Sequence, residues 1–175
     1  MIKAIIILDQ IQAGLGGKEQ ADTPYGGKRL AMGAGEAVDQ ELKRTDGQLL
    51  GTFYCGTAYY QKHQAEVQKK FTKMAEKMTA NLVILGPAYD YSDFSQMACE
   101  LSMAFQQKTQ IPTIVALAAE NNAQLIAQYR QDLCLVKMPK KGGGGLNQTI
   151  KNLVAGGNKL VKQEEMTTFK ADYCY

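Results

Sequence analysis

Short apolar runs recur along the chain and indicate β-strands. One run, Ile2–Leu8, opens the sequence, and comparable runs follow at Leu49–Tyr54, Leu82–Leu85, Thr113–Leu117 and Leu133–Met138. The middle runs are apolar at consecutive positions, which is typical of parallel strands covered by helices on both faces. The pattern therefore predicts a buried sheet of parallel strands.

Amphipathic segments alternate with these runs. Their apolar residues recur every three or four positions, as on one face of a helix. The predicted helices are Gly35–Lys43, Ala65–Met78, Ser95–Lys108, Asn122–Arg130 and Leu146–Lys162. Five such βα repeats predict an α/β fold with a doubly wound, mostly parallel five-stranded sheet, that is, a flavodoxin-like or Rossmann-like three-layer sandwich. The small number of strands favours the flavodoxin-like order over the dinucleotide-binding order.

No internal repeat or low-complexity linker divides the chain. We therefore expect a single α/β domain over residues 1–162, followed by a mobile C-terminal tail over residues 163–175. Cys174 lies in this tail, where we expect it to be exposed and incidental.

Glycine follows most of the predicted strands, at the sheet edge where α/β proteins bind ligands. Backbone freedom there lets several loops approach one small-molecule ligand, and the aspartate that ends the first strand either orients that ligand or caps the loop. The predicted ligand-binding residues are Asp9, Gly14, Gly16, Gly17, Gly56, Gly86, Pro87 and Tyr89. The first connection contains neither the GxGxxG nor the Walker spacing. We interpret it as a mobile rim.

The composition excludes several classes of protein. Hydrophobic residues make up 45% and charged residues 21%, as in soluble globular proteins, and the net charge of +3 does not indicate a nucleic-acid partner. No run is long enough to span a membrane, and the first residues do not form a signal peptide, so we expect a cytoplasmic protein. Near Lys140 and Lys141, the four glycines Gly142–Gly145 form either an anion site or a flexible connector.

The four cysteines are scattered, without the spacing of a metal site, so we expect reduced thiols and no bound metal. Cys55 ends the second predicted strand, and Cys99 lies in the helix after the third. Each is either a reactive thiol or an ordinary buried one. Cys134 is predicted to lie in the core. The single histidine, His63, is expected to be solvated.

Four segments, in the same order, resemble the component B large subunit of glycine, sarcosine and betaine reductases. They are LDQIQAGLGGKEQAD (Leu8–Asp22), FYCGTAYY (Phe53–Tyr60), LGPAYDYSDFSQMACE (Leu85–Glu100) and QIPTIVALAAEN (Gln110–Asn121). The resemblance implies a relative of the amino-terminal half of that longer subunit, without the part that carries its selenocysteine. Asp93 lies where the family has an arginine-containing run, a change that weakens a carboxylate clamp.

The resemblance leads to two hypotheses. In the first, the chain is an oxidoreductase-related protein that binds a small amino-acid-like or anionic ligand, with Cys55 or Cys99 as a catalytic thiol. A protein partner would then supply the missing half of the reductase. In the second, the chain is a non-catalytic binding or assembly subunit. No nicotinamide or flavin follows from the resemblance, so the cofactor is unknown, and homo-oligomer formation stays open.

Overall fold

Six strands form one sheet in the computed structural model, which describes residues 1–175. The strands are β1 (Ile2–Leu8), β2 (Gly26–Lys28), β3 (Gly47–Tyr54), β4 (Leu82–Leu85), β5 (Thr113–Leu117) and β6 (Leu135–Lys137). The helices are α1 (Gly35–Arg44), α2 (Thr57–Lys62), α3 (Gln64–Lys77), α4 (Ser92–Lys108), α5 (Ala123–Tyr129), α6 (Leu146–Val161) and α7 (Thr167–Tyr173), and a 3-10 turn spans Lys18–Gln20.

The sheet order is β2-β3-β1-β4-β5-β6. The last five strands of that order are parallel, and their succession is the flavodoxin-like order expected from the sequence. The predicted count of five strands was one too few, because β2 adds an antiparallel strand beside β3. Its sequence is Gly-Gly-Lys, which has neither β-branched nor aromatic residues, and so no strand pattern was visible.

The core lies on both faces of the sheet. Every residue of β4 and β5 is buried, because helices cover both sides. On one face α1 packs beside α6, and α2, α3, α4 and α5 pack together on the other. The result is the predicted three-layer sandwich. No helix combines the length and the apolar character needed to cross a bilayer.

The last residues pack against the sheet. Phe169 of α7 is buried, and Cys174 forms an antiparallel bridge with Val136 of β6. The Tyr175 hydroxyl donates a hydrogen bond to the carbonyl of Leu117 at 2.9 Å. We call residues 167–175 the C-terminal strap. The expectation that Cys174 is exposed was wrong, since only 6% of it is accessible.

Candidate functional site

A polar cavity of about 410 Å³ opens at the carboxyl ends of β1 and β4. The chain leaves β1 to form β3 on one side and later returns to form β4 on the other, so this is the switch point of the sheet. Ligands of doubly wound α/β proteins bind at such a point. The lining residues are Asp9, Gln10, Ile11, Lys18, Ala21, Thr57, Asp90, Tyr91, Ser92, Asp93, Phe94 and Asn121.

Asp9 is the most deeply placed carboxylate of the cavity. It directly follows the apolar β1, which carries it to the sheet edge, and only 2% of it is accessible. Its Oδ1 accepts a hydrogen bond from the backbone N–H of Gln12 at 2.7 Å. Burial nevertheless dominates and raises the pKa of Asp9 from 3.8 to about 6. Asp9 therefore exchanges its proton close to neutral pH and has no cationic partner within salt-bridge distance.

Two further carboxylates and one lysine complete the charges of the cavity. Asp90 and Asp93 lie on either side of the start of α4, and Lys18 lies on the first connection. Asp90 Oδ1 accepts a hydrogen bond from the backbone N–H of Lys141 at 2.8 Å. This bond lowers the pKa of Asp90. With Asp9 ionised, three carboxylates and one ammonium group face the same space.

The first connection is tied to the neighbouring strand end. The N–H of Gly56 donates to the carbonyl of Thr23 at 2.8 Å, and the N–H of Ala58 donates to that of Ala21 at 2.9 Å. A Cβ at Gly56 would lie 2.2 Å from the Ala21 oxygen, so only glycine permits this approach. The fixed contacts give the rim a defined shape, while its mobility stays a prediction.

Asn122 holds the loops on the other side of the cavity. Its Nδ2 lies within 3.2 Å of the Tyr89 carbonyl, 3.0 Å of Ser95 Oγ and 2.9 Å of the Ala118 carbonyl. The side chain is buried, so these contacts satisfy it where water does not reach. The loops after β4 and β5 are thereby joined to α4, and the cavity wall is a built structure.

The predicted ligand-binding residues follow parallel strands, as expected, but only Asp9 lines the cavity. Gly86 and Pro87, joined by a cis peptide bond, lie behind it at the end of β4. Tyr89 packs under the ammonium of Lys141, whose Nζ lies 4.8 Å from the ring centroid. Gly14, Gly16 and Gly17 belong to the first connection, and Gly56 follows β3. Contact of these residues with a ligand stays a prediction.

The two candidate catalytic thiols are not among the residues that line the cavity. Cys55 and Cys99 are both fully buried, and burial raises the pKa of each thiol to about 12. A thiol in such surroundings is not ionised near neutral pH and does not meet a substrate in the cavity. Catalysis by either residue stays a prediction, and this geometry does not favour it. No cluster of three metal-ligating side chains occurs in the fold.

Sequence reasoning did not select Lys18, Asp90 or Asn121 as ligand-binding residues. Asp90 and Asn121 follow β4 and β5 by a few residues, and this position was the available signal. Lys18 does not closely follow a strand, so the sequence gives no indication that it lines the cavity. Its position depends on the backbone hydrogen bonds that join the first connection to the residues after β3. A polar residue shortly after a parallel strand is thus a better guide here than glycine.

Comparison with known proteins identifies the family to which this chain belongs. The family model for glycine/sarcosine/betaine reductase selenoprotein B matches residues 1–175. The chain belongs to this family. The resemblance expected from the four sequence segments is confirmed.

Curated relatives are named as component B subunits of glycine, sarcosine and betaine reductase complexes. Component B subunit gamma of the glycine reductase complex from Carboxydothermus hydrogenoformans is 25% identical over 166 residues, or 95% of this chain and 37% of the relative. Subunit beta of sarcosine reductase component B from Peptoclostridium acidaminophilum is 23% identical over 78% of this chain and 30% of the relative. Subunit beta of betaine reductase component B from the same organism is 20% identical over 95% of this chain and 37% of the relative.

The chain thus spans about a third of the length of these relatives. No solved structure shows a significant match. The relatives are named as subunits of reductase complexes, which makes this chain a reductase-complex-related protein.

Proposed function

We propose that this chain is the ligand-binding part of a reductase-type complex and holds a small amino-acid zwitterion in the cavity at the ends of β1 and β4. The observation that carries the proposal is the arrangement of Asp9, Asp90 and Asp93 around a space that also contains Lys18. The names of the relatives support the class of ligand, since glycine, sarcosine and betaine each combine a cationic nitrogen with a carboxylate.

Asp9 supplies the strongest electrostatic reason for a cationic nitrogen. A buried carboxylate without a cationic partner is unfavourable, and a cation bound beside it removes much of that penalty. Binding should therefore lower the pKa of Asp9 and release a proton near pH 6. Perturbed groups of this kind cluster at functional sites.

The carboxylate of the ligand has fewer partners. Lys18 provides a positive charge on the first connection, and Ser92 and Asp93 begin α4, whose first amides lack acceptors within the helix. The Asp93 carboxylate opposes an anion at this point. The cavity should therefore favour a zwitterion over a simple anion, and the cationic end should contribute most of the affinity.

A partner polypeptide is expected to supply the reacting group. The chain spans about a third of the curated relatives, and neither Cys55 nor Cys99 reaches the cavity. In this proposal the chain binds and orients the ligand at an open cavity mouth against which a second subunit docks. The alternative of a purely structural assembly subunit predicts no ligand affinity at all.

Calorimetric titration with betaine, sarcosine and glycine tests the proposal. Tetramethylammonium and propionate each carry only one of the two charges, and we expect weaker binding for both, with propionate the weaker. Asp9→Asn should lower the affinity at least ~10-fold, since a favourable charge contact in a buried site commonly contributes that much. Asp172→Asn, an exposed change on α7, is the matched control.

Heat signals indistinguishable from buffer for all three zwitterions would overturn the proposal and favour the assembly role. Equal affinities of wild type and Asp9→Asn would place the ligand elsewhere. Release of a proton on binding, measured in buffers of different ionisation enthalpy, would separate a contact with Asp9 from binding at a distant surface.

A further inference from the structure

The one close pair of thiols in the fold lies far from the cavity. Cys134 immediately precedes β6, and Cys174 is the last residue but one of the C-terminal strap, yet their Sγ atoms are only 3.7 Å apart. The remaining cysteines, Cys55 and Cys99, are buried without a sulfur partner. The chain brings Cys134 and Cys174 together across 40 residues, so the pairing is a product of the tertiary fold.

We propose that Cys134 and Cys174 are a reversible dithiol–disulfide site that fixes the C-terminal strap to β6. A disulfide requires the two sulfurs to close from 3.7 Å to ~2.05 Å, through side-chain rotation and a small shift of the strap. The antiparallel bridge joins Cys174 to Val136, two residues after Cys134, so the two cysteines are diagonal neighbours on one face of this pairing. The N–H of Tyr175 also donates to the carbonyl of Leu135 at 3.1 Å.

The surroundings of the pair favour Cys174 as the attacking sulfur. Its hydrogen bond with Cys134 and the charges of Lys170 and Lys137 lower the pKa of Cys174. The same hydrogen bond raises the pKa of Cys134. Cys134 and Cys174 are each 6% accessible, whereas Cys55 and Cys99 are completely covered. This pair is therefore more accessible to an oxidant than the other two thiols.

The oxidant class is a disulfide, either a small one such as oxidised glutathione or one on a partner protein. The Cys174 thiolate attacks one sulfur of that disulfide, its S–S bond breaks, and the departing thiolate takes up a proton. Cys134 then loses its proton and attacks Sγ of Cys174, which expels the second thiolate of the oxidant. Two protein thiols are oxidised by two electrons in total, and the oxidant leaves as two thiols.

Peptide mapping after oxidation tests the proposal on the whole chain. The protein is incubated with oxidised glutathione, quenched with acid, unfolded and alkylated with iodoacetamide, then digested and analysed by mass spectrometry. We expect a Cys134–Cys174 crosslinked peptide, with Cys55 and Cys99 fully alkylated. Dithiothreitol should reverse the crosslink.

The thermal midpoint gives an independent readout. Closing a loop of this length should raise Tm of the oxidised protein by about 10 °C over the reduced protein. Cys134→Ser and Cys174→Ser should each abolish this shift, whereas Cys99→Ser should retain it. The peptide map uses the wild-type protein, so the crosslink can be tested even where Cys134→Ser folds poorly.

Two results would overturn the proposal. One is complete alkylation of all four cysteines after oxidation, with no crosslinked peptide. The other is a crosslink that joins Cys134 or Cys174 to Cys55 or Cys99, or to a second chain. Neither result bears on the cavity, since the ligand titration uses reduced protein.

Discussion

The cavity and the C-terminal strap lie on the same sheet but bring together different kinds of side chain. At the ends of β1 and β4 the fold concentrates carboxylates around open space and keeps the thiols out. Beside β6, two strands from β4, it brings two thiols together. The cavity contains a buried charge that costs stability, whereas the strap adds buried apolar contact.

This contrast separates binding from redox chemistry within one chain. Cys55 and Cys99 are buried and are not among the residues that line the cavity, and Cys134 and Cys174 lie beside β6 at the sheet edge. The strap should therefore affect stability without affecting affinity. Substitutions at the cavity should change the affinity, and the sign of their effect on stability should depend on whether they remove a buried charge or overpack the wall.

The largest expected effect is on the strap. Phe169 packs directly on the backbone of Gly156, where an added Cβ would lie 2.5 Å from its Cζ. Phe169→Ala should lower the free energy of unfolding by about 3 kcal/mol through lost contact and a cavity, measured in urea. Tyr173→Ala is the control, since Tyr173 is 40% exposed and should cost much less. Unchanged stability in Phe169→Ala would mean that the strap is not docked in solution.

The second effect has the opposite sign and depends on pH. Burial raises the folded-state pKa of Asp9 from 3.8 to about 6, so the folded protein holds this proton more tightly than the unfolded chain does. Stability therefore falls as pH rises between these two values, and the full cost is present above about pH 6. A shift of this size corresponds to about 3 kcal/mol.

Asp9→Asn removes that cost, while its amide oxygen still accepts from Gln12. The free energy of unfolding of the variant should equal that of wild type near pH 4 and exceed it by up to about 3 kcal/mol near pH 7.5. Its affinity for the ligand should fall. Urea titrations at both pH values check this, with Asp93→Asn as an exposed control. A variant less stable than wild type at neutral pH would contradict the account of Asp9 as a strained binding group.

A third substitution tests the wall of the cavity. Gly56→Ala places a Cβ 2.2 Å from the carbonyl oxygen of Ala21. Ala21 is one of the residues that line the cavity. We expect a loss of about 2 kcal/mol from overpacking and weaker zwitterion binding in calorimetry. Gly17→Ala is the matched control, because its nearest new neighbour is the flexible end of the Glu19 side chain. Equal effects of both changes would argue against a rigid rim.

The smallest effect concerns the glycine-rich loop. Asp90→Ala removes the acceptor of the Lys141 N–H and leaves the packing unchanged. Hydrogen exchange should become faster over residues 141–145, with little change in global stability. Asp93→Ala, on the same side of the cavity but without this bond, should leave the exchange unchanged. Protection that survives Asp90→Ala would show that other contacts order the loop.

Much of the fold was predictable because burial dictates an apolar pattern. Ile2–Leu8 and Leu82–Leu85 are strands with the predicted bounds, since strands covered on both faces are apolar at nearly every position, the exception being the exposed Lys3 near the start of β1. β2 escaped prediction because pairing with β3 at an edge demands no such pattern. The strap escaped because one buried phenylalanine and one cysteine in a polar segment give no periodicity.

The site was less predictable than the sheet. Asp9 was found because a carboxylate that ends a buried strand is conspicuous, and the strand order fixed its neighbours. Lys18 depends on the hydrogen bonds that return the first connection to Gly56, and these are backbone contacts with no side-chain signature. The proximity of Cys134 to Cys174 likewise depends on tertiary packing, since the two residues are 40 positions apart and α6 and α7 lie between them in the chain.

The bridge between Val136 and Cys174 should also affect the behaviour of the protein at high concentration. A bare outer strand of a sheet is a template on which other chains can add in register, and β6 is covered only by the residues that follow α7. Proteolytic removal of those residues should therefore promote ordered self-association through Leu135–Lys137, detectable by light scattering and thioflavin fluorescence.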